Sequence, residues 1–131
     1  MQNKNNIHFE NPYEMLTVID DDILEGTLKL HPWQRDILTD YGEPSTSAKP
    51  YKAAVRAANG SGKDQFVIAP CALWTCMTSA NAVSLVTTAS GNQLDRQTDK
   101  YIRQLMTSVN NMFCTQVWKM NYRHYTNLIN N

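Results

Sequence analysis

The sequence has no excess of charge of either sign. Its 131 residues include 12 Lys and Arg against 12 Asp and Glu, so the formal net charge is zero. A strongly basic chain would be attracted along its whole length to nucleic acid or to an anionic membrane surface, and this chain lacks such a field. Any anion-binding site must therefore come from a local arrangement of residues.

Cysteine pairs and long apolar runs are also missing. The three cysteines, Cys71, Cys76 and Cys114, are odd in number and have no CxxC spacing, which argues against a disulfide framework and against a zinc site. No window reaches the roughly 18 apolar residues that a membrane helix needs, and the polar start MQNKNNIHFENP is unlike a signal peptide. We therefore expect a soluble, intracellular protein.

Glycine is scarce, and two of the five glycines lie in one short segment, AANGSGKD, at residues 57–64. Gly60 and Gly62 flank Ser61, and Lys63 follows, as in a phosphate-binding P-loop (Walker A). Glycines let backbone N–H groups turn toward a phosphate, and the helix that follows directs its N-terminus to the same place. The pattern predicts that Lys63 is catalytic. It also predicts a nucleotide-binding loop that consists of Ala58, Asn59, Gly60, Ser61, Gly62, Lys63 and Asp64.

Both ends of this loop depart from the usual pattern, which begins with glycine and ends with Ser or Thr. Ala57 replaces the first glycine, which is tolerable if its φ is negative. Asp64 replaces the hydroxyl residue that normally holds Mg²⁺, and a carboxylate is itself a good magnesium ligand. Without the metal, Asp64 would repel a phosphate about 4 Å away by roughly 4 kcal/mol at an effective dielectric near 20.

The local charge supports an anion site. Lys49, Lys52, Arg56 and Lys63 occur with no acidic residue among them, which predicts a positive patch in a neutral chain. The alternative is an ordinary glycine-rich turn with a surface lysine, because GxGK alone recurs by chance.

Hydrophobic periodicity and capping residues predict an alternation of helices and strands after two initial helices. We expect helices from Pro12 to Gly26 and from Pro32 to Gly42, a surface loop at 43–50, a strand at 51–57, a helix at 63–79 kinked or ended by Pro70, a strand at 82–88, a helix at 90–113 capped by Ser90, and a strand after Cys114. Such an order is typical of an α/β fold with a mostly parallel sheet and helices on both faces.

Three segments together resemble a known family. HPWQ at 31–34, VRAANGSGKD at 55–64 and LVTTASGNQLDRQ at 85–97 resemble, in this order, the N-terminal ATPase region of the large terminase subunits of tailed bacteriophages. The resemblance covers about residues 28–110. It implies an incomplete RecA-like P-loop NTPase fold, with residues 1–27 as an N-terminal arm and helix and residues 28–131 as the front part of the ATPase domain.

The resemblance also implies roles, ligands and partners. Trp33 would stack on adenine and Gln34 would bind its edge, although Trp33 shares an apolar face with Ile37 and fits core packing equally well. Thr88 and Gln93 match a segment used for DNA contact or coupling, although Gln93 also fits a capping box with Ser90.

The implied cofactors are ATP and Mg²⁺, with Asp64 as metal ligand. The implied partners in the host bacterial cytoplasm are double-stranded DNA, the portal and the small terminase subunit, within an oligomeric motor.

Part of the family's machinery is missing from these residues. No apolar run closing in Asp-Glu follows Lys63, although such a carboxylate pair is what activates the attacking water in this class of ATPase, and the nuclease domain is absent. We therefore expect this chain alone to bind Mg-ATP weakly without turnover. Two other interpretations stay open: a fragment of a DNA or RNA helicase, and a non-catalytic assembly module that pairs through exposed strand edges.

If Asp64 is the metal ligand, nucleotide binding should depend more strongly on Mg²⁺ than it does in an ordinary P-loop. We expect the ratio of ATP affinities with and without Mg²⁺ to be larger in the wild type than in Asp64→Thr, because the carboxylate repels phosphate when no metal lies between them. Calorimetric titrations of both proteins measure this ratio, and an equal ratio would refute the prediction.

Overall fold

The computed structural model describes residues 9–20, 26, 28–42, 52–58, 60–78, 82–113, 117–122 and 124–128. Within these ranges the chain forms four main helices and one β-hairpin: α1 (Pro12–Ile19), α2 (Pro32–Tyr41), α3 (Ala69–Thr78), α4 (Asp99–Met112), β1 (Trp118–Asn121) and β2 (His124–Asn127). A five-residue π-helical turn leads directly into each of the last two helices, Asp64–Ile68 before α3 and Leu94–Thr98 before α4.

The first helix begins as its sequence predicts. The side chain of Asn11 accepts a hydrogen bond from Glu14 N at 2.8 Å, and Pro12 occupies the first turn, where its missing N–H costs nothing. Met15 and Ile19 are buried, which confirms the predicted apolar face. Gly26 adopts a φ of 73°, a conformation that glycine accepts without steric cost.

The helix that contains Pro70 neither ends nor breaks at that residue. It continues to Thr78, and Pro70 itself is fully buried. A proline inside a helix removes one N–H and crowds the carbonyl four residues earlier. The wider π turn at Asp64–Ile68 lies immediately before this position and gives the backbone room to accommodate the ring.

The long amphipathic helix after residue 90 confirms its prediction. Ser90 Oγ accepts a hydrogen bond from Gln93 N at 3.2 Å, and the helical segment ends at Met112. Its buried positions in α4 are Ile102, Met106 and Val109, which follow the spacing of one helix face.

The core forms around α3, against which α1 and α4 both pack. Leu73 and Met77 of α3 are at most 2% exposed and lie in one cluster with Met15 of α1 and Met106 of α4. Polar contacts reinforce this packing: Trp74 Nε1 donates to the carbonyl of Phe9 at 2.8 Å. A buried aromatic N–H with a partner adds fixed geometry to apolar burial.

Two side chains of the last helix bind the hairpin, and one of them is Arg103, whose Nη2 donates to the carbonyl of Asn121 at 2.6 Å. Asn110 Oδ1 accepts hydrogen bonds from both Val117 N and Trp118 N at 2.9 Å. The strands pair antiparallel, with Trp118 opposite Asn127 and Asn121 opposite His124. The single strand predicted for the tail is therefore a two-stranded hairpin that turns after Asn121.

The prediction of a mostly parallel, RecA-like sheet with helices on both faces is wrong for the described residues. They are mostly helical, and their only sheet is the antiparallel hairpin. Residues 52–58 form neither a helix nor a strand and are almost entirely exposed, whereas a parallel strand must be covered on both faces. Residues 82–88 alternate between half-buried and exposed positions, as a strand does, without joining a ladder.

The segment 82–88 is held by side chains instead of by a neighbouring strand. Ser84 Oγ donates to the carbonyl of Ala72 at 3.1 Å, and Cys76 Sγ lies 3.3 Å from the same hydroxyl. Its outward residues Val83 and Leu85 are 77% and 88% exposed. The prediction of a buried strand at 82–88 is therefore wrong: this segment pairs with no strand among the described residues, and two of its apolar side chains are exposed.

Some predicted features lie outside the described residues: the N-terminal arm at 1–8, the loop at 43–50, the positions Tyr51 and Asn59, and the cysteine Cys114. In the part of the chain that is described, no helix is both long enough and apolar enough to cross a membrane.

Two leucines test this core. Leu73→Ala should lower the free energy of unfolding by about 2–5 kcal/mol, because Leu73 is 1% exposed and its removal leaves a cavity. Leu85→Ala, at a position that is 88% exposed, should change it by less than about 0.5 kcal/mol. Urea denaturation of the two variants measures the difference, and equal losses would contradict the assignment of α3 as the centre of the core.

Candidate functional site

The glycine loop has the backbone conformation that its sequence predicts. Gly60 and Gly62 have φ angles of 77° and 83°, in the left-handed region that other residues avoid. Ser61 N donates to the carbonyl of Ala58 at 3.2 Å and closes a turn. The π turn at Asp64–Ile68 and then α3 follow directly, so the first N–H groups of this helical segment point toward the loop and lack partners inside the helix.

Gly62 is also required by the space around it. A Cβ atom at this position would lie 2.8 Å from Phe66 Cδ2 and 2.9 Å from Gln34 Nε2. No real Cβ makes such close contacts without displacing its neighbours. At Gly60, by contrast, an added Cβ meets nothing within 4 Å, so only its φ angle favours glycine there.

Gln34 connects α2 to this loop. The residue is fully buried, and its Nε2 donates to the carbonyl of Ser61 at 2.9 Å. Its Oε1 accepts a hydrogen bond from His31 N at 2.8 Å, which satisfies a free N–H at the start of α2. The HPWQ segment and the glycine loop, 27 residues apart between Gln34 and Ser61, are therefore held together by one side chain.

A cleft of about 680 Å³ opens beside this contact, within the size range of small-molecule sites. Three segments singled out in the sequence form its walls: the HPWQ segment, the glycine loop and the segment after residue 85. The residues that line it are Lys29, His31, Gln34, Gly60, Ser61, Gly62, Lys63, Asp64, Gln65, Phe66, Gln93, Gln97 and Tyr101.

The charge of the cleft suits an anion with a metal ion. Lys29 and Lys63 are cationic, and Asp64 is the one acidic residue in the lining. Among the described residues no cluster of three or more His, Cys, Asp or Glu side chains could hold a metal ion. Asp64 would therefore hold Mg²⁺ only together with phosphate oxygens and water, which is the usual way that this ion is bound beside a nucleotide.

One polar atom of the loop has no partner. Ser61 Oγ is buried without a hydrogen bond to any described group, and unpaired buried hydroxyls are uncommon because their desolvation is uncompensated. This unpaired hydroxyl lies in the lining of the cleft, where a bound ligand would supply its missing partner.

Several predicted site residues lie elsewhere. Trp33 is half-buried and Ala58 is exposed, and neither lines the cleft. Thr88 Oγ1 donates to the carbonyl of Ser90 at 2.7 Å and is also outside the lining. Of the predicted basic patch, Lys52 and Arg56 are exposed away from the cleft, so its positive charge is more local than the sequence suggests.

Gln93 is a predicted residue that the structure places in the cleft. Its backbone N–H, and not its side chain, makes the hydrogen bond to Ser90 Oγ. Capping and a position in the cleft are therefore compatible at this residue.

Sequence reasoning missed two lining residues that follow Gln93 along the chain. Gln97 and Tyr101 follow Gln93 at intervals of four residues and line the same cleft. Residues four apart lie on one face of a helix, so this spacing could have identified them once Gln93 had been assigned to a site.

The two cysteines in the described part of the chain, Cys71 and Cys76, both pack within the fold. Burial raises the pKa of the Cys71 thiol to about 12, so the thiol stays protonated at neutral pH, and the reactive form of cysteine is the thiolate. Cys76 Sγ donates a hydrogen bond to Ser84 Oγ at 3.3 Å, where residues 82–88 pack on α3.

No protein-family model, curated protein or solved structure matches this chain.

The two loop glycines provide a matched pair of substitutions. Both Gly60→Ala and Gly62→Ala should incur about 1–2 kcal/mol for the left-handed backbone, and Gly62→Ala should cost more because its methyl group meets Phe66 and Gln34. Thermal unfolding of the two variants measures the difference. A smaller loss for Gly62→Ala than for Gly60→Ala would contradict this geometry.

Proposed function

We propose that this chain binds a nucleoside triphosphate with Mg²⁺ in the cleft beside the glycine loop. The observation that carries the proposal is the Gln34 hydrogen bond to the carbonyl of Ser61, which joins two sequence-distant motifs at a single cleft that also contains Lys63. A nucleotide site needs such convergence, whereas an ordinary surface turn does not.

The phosphate contacts expected of such a loop do not depend on a parallel sheet. They come from backbone N–H groups, from a lysine and from the N-terminus of the following helix. Gly60, Gly62 and Lys63 precede the helical segment that leads into α3. Asp64, which lines the cleft, would hold Mg²⁺, and the ion would reduce the negative charge of the phosphates.

We propose further that the chain is the nucleotide-binding part of a DNA-packaging motor, the large terminase subunit of a tailed phage. This step rests on the resemblance of residues 31–34, 55–64 and 85–97 to that family. Its DNA, portal and small-subunit partners are carried over on the same basis.

A second candidate, an assembly module without catalysis, is favoured by one observation. Residues 82–88 form no helix and pair with no strand among the described residues, and they expose the apolar side chains of Val83 and Leu85. An exposed apolar segment with unpaired backbone groups invites pairing with another chain. A folded, monomeric protein without nucleotide affinity would favour this candidate over the first.

The test of the first candidate is calorimetric titration with Mg-ATP. Lys63→Ala should weaken binding by roughly 10- to 100-fold, because a hydrogen bond to a charged group contributes about 1.5–3 kcal/mol. Lys119→Ala is the matched control, since Lys119 is exposed on β1 and outside the cleft. We expect no ATP turnover above background in the wild type.

Equal affinities of the wild type and Lys63→Ala for Mg-ATP would refute the proposed site. Sustained turnover by the wild type would leave the site in place and contradict the expectation that this chain binds without hydrolysis.

A further inference from the structure

Three lining residues of the cleft, Gln93, Gln97 and Tyr101, come from the helical segment that leads into and begins α4, and they are here called the glutamine wall. All three line the same cleft as Lys63. In a regular α-helix, residues eight apart differ in direction by about 80°. The π turn at Leu94–Thr98 lies between Gln93 and Tyr101, and its wider winding takes up part of that difference. The local helix geometry thus directs three side chains to one side.

The charged and the neutral lining residues come from different segments of the chain. Lys63 and Asp64 lie on the loop side, with Lys29 among the remaining lining residues, whereas the glutamine wall carries no charge. The acidic residues on the same helical segment have other contacts. Asp99 pairs with Arg103 at 2.8 Å, and Asp95 accepts a hydrogen bond from the hydroxyl of Tyr122 at 3.4 Å. A polyanionic phosphate chain therefore fits the loop side, and a neutral polar group fits the wall.

We propose that the glutamine wall binds the base and ribose of the nucleotide, and that the site selects a nucleoside triphosphate over a bare polyphosphate. This inference rests on the proposed function. Amide side chains can donate and accept hydrogen bonds with the edge of a base, and the tyrosine ring offers a surface for stacking.

The two residues that the sequence predicts for base recognition, Trp33 and Gln34, are not placed to contact a base in the cleft. Trp33 does not line the cleft, and Gln34 is fully buried with its amide bound to His31 N and to the carbonyl of Ser61. Gln97 is exposed at the cleft, and the Lys100 ammonium lies 5.7 Å from the centre of the Tyr101 ring. This cation is attracted to the face of the ring that it covers.

The test compares Mg-ATP with Mg-tripolyphosphate, which carries three linked phosphates and no nucleoside. Wild type, Gln97→Ala, Tyr101→Leu and Tyr101→Phe are titrated with both ligands. Gln104→Ala is the matched control, because Gln104 is exposed on α4 and outside the cleft. Gln97 is exposed as well, so its truncation should not disturb folding.

Wild type should bind Mg-ATP at least fivefold more tightly than Mg-tripolyphosphate. Gln97→Ala and Tyr101→Leu should each weaken Mg-ATP at least fivefold and leave tripolyphosphate unchanged. Tyr101→Phe, which keeps the ring, should retain most of the affinity, and Gln104→Ala should alter neither ligand.

Three results would overturn the inference in distinguishable ways. Equal weakening of both ligands in Gln97→Ala would assign the wall to the phosphates. If the wild type bound tripolyphosphate as tightly as ATP, recognition of the nucleoside would be refuted, whereas phosphate binding at the loop would still be supported. If the wild type bound neither ligand, both the proposed function and this inference would be refuted.

Discussion

The hydrogen bond from Gln34 Nε2 to the carbonyl of Ser61 is the constraint on which the cleft depends. It fixes the distance between α2 and the glycine loop, and it does so from a fully buried position, where a polar side chain is stable only when its groups are paired. Gly62 must lack a side chain because Gln34 and Phe66 occupy the space beside it. The glycine loop and the start of α2 are thus held in one arrangement, which shapes the cleft.

This arrangement of the loop and α2 is supported by the packing of α3. The helical segment that begins at the loop continues into α3, and Leu73 and Met77 anchor α3 between α1 and α4. The glutamine wall belongs to the segment that leads into and begins α4, so both parts of the cleft lining are positioned by the same core. A change in the packing of α3 would therefore be transmitted to the loop and to the glutamine wall together.

Local features of the fold were predictable because their causes are local. Asn11 with Pro12 predicts a helix start, Ser90 predicts a cap, and the spacing of Ile102, Met106 and Val109 predicts a buried face, and all three are present. The parallel sheet was not a local property. Whether a segment becomes a strand of a sheet depends on a partner strand, and neither 52–58 nor 82–88 has one among the described residues.

The sequence by itself determined the chemistry of the loop: two glycines at positions with positive φ, a lysine, and a carboxylate in place of a hydroxyl. Only the tertiary structure decided which distant residues share its cleft. It buried Gln34 as a support for the loop, left Trp33 outside, and brought Gln97 and Tyr101 to the cleft. The physical reason is that backbone conformation follows from residue type and neighbours, whereas the environment of a side chain follows from how helices pack.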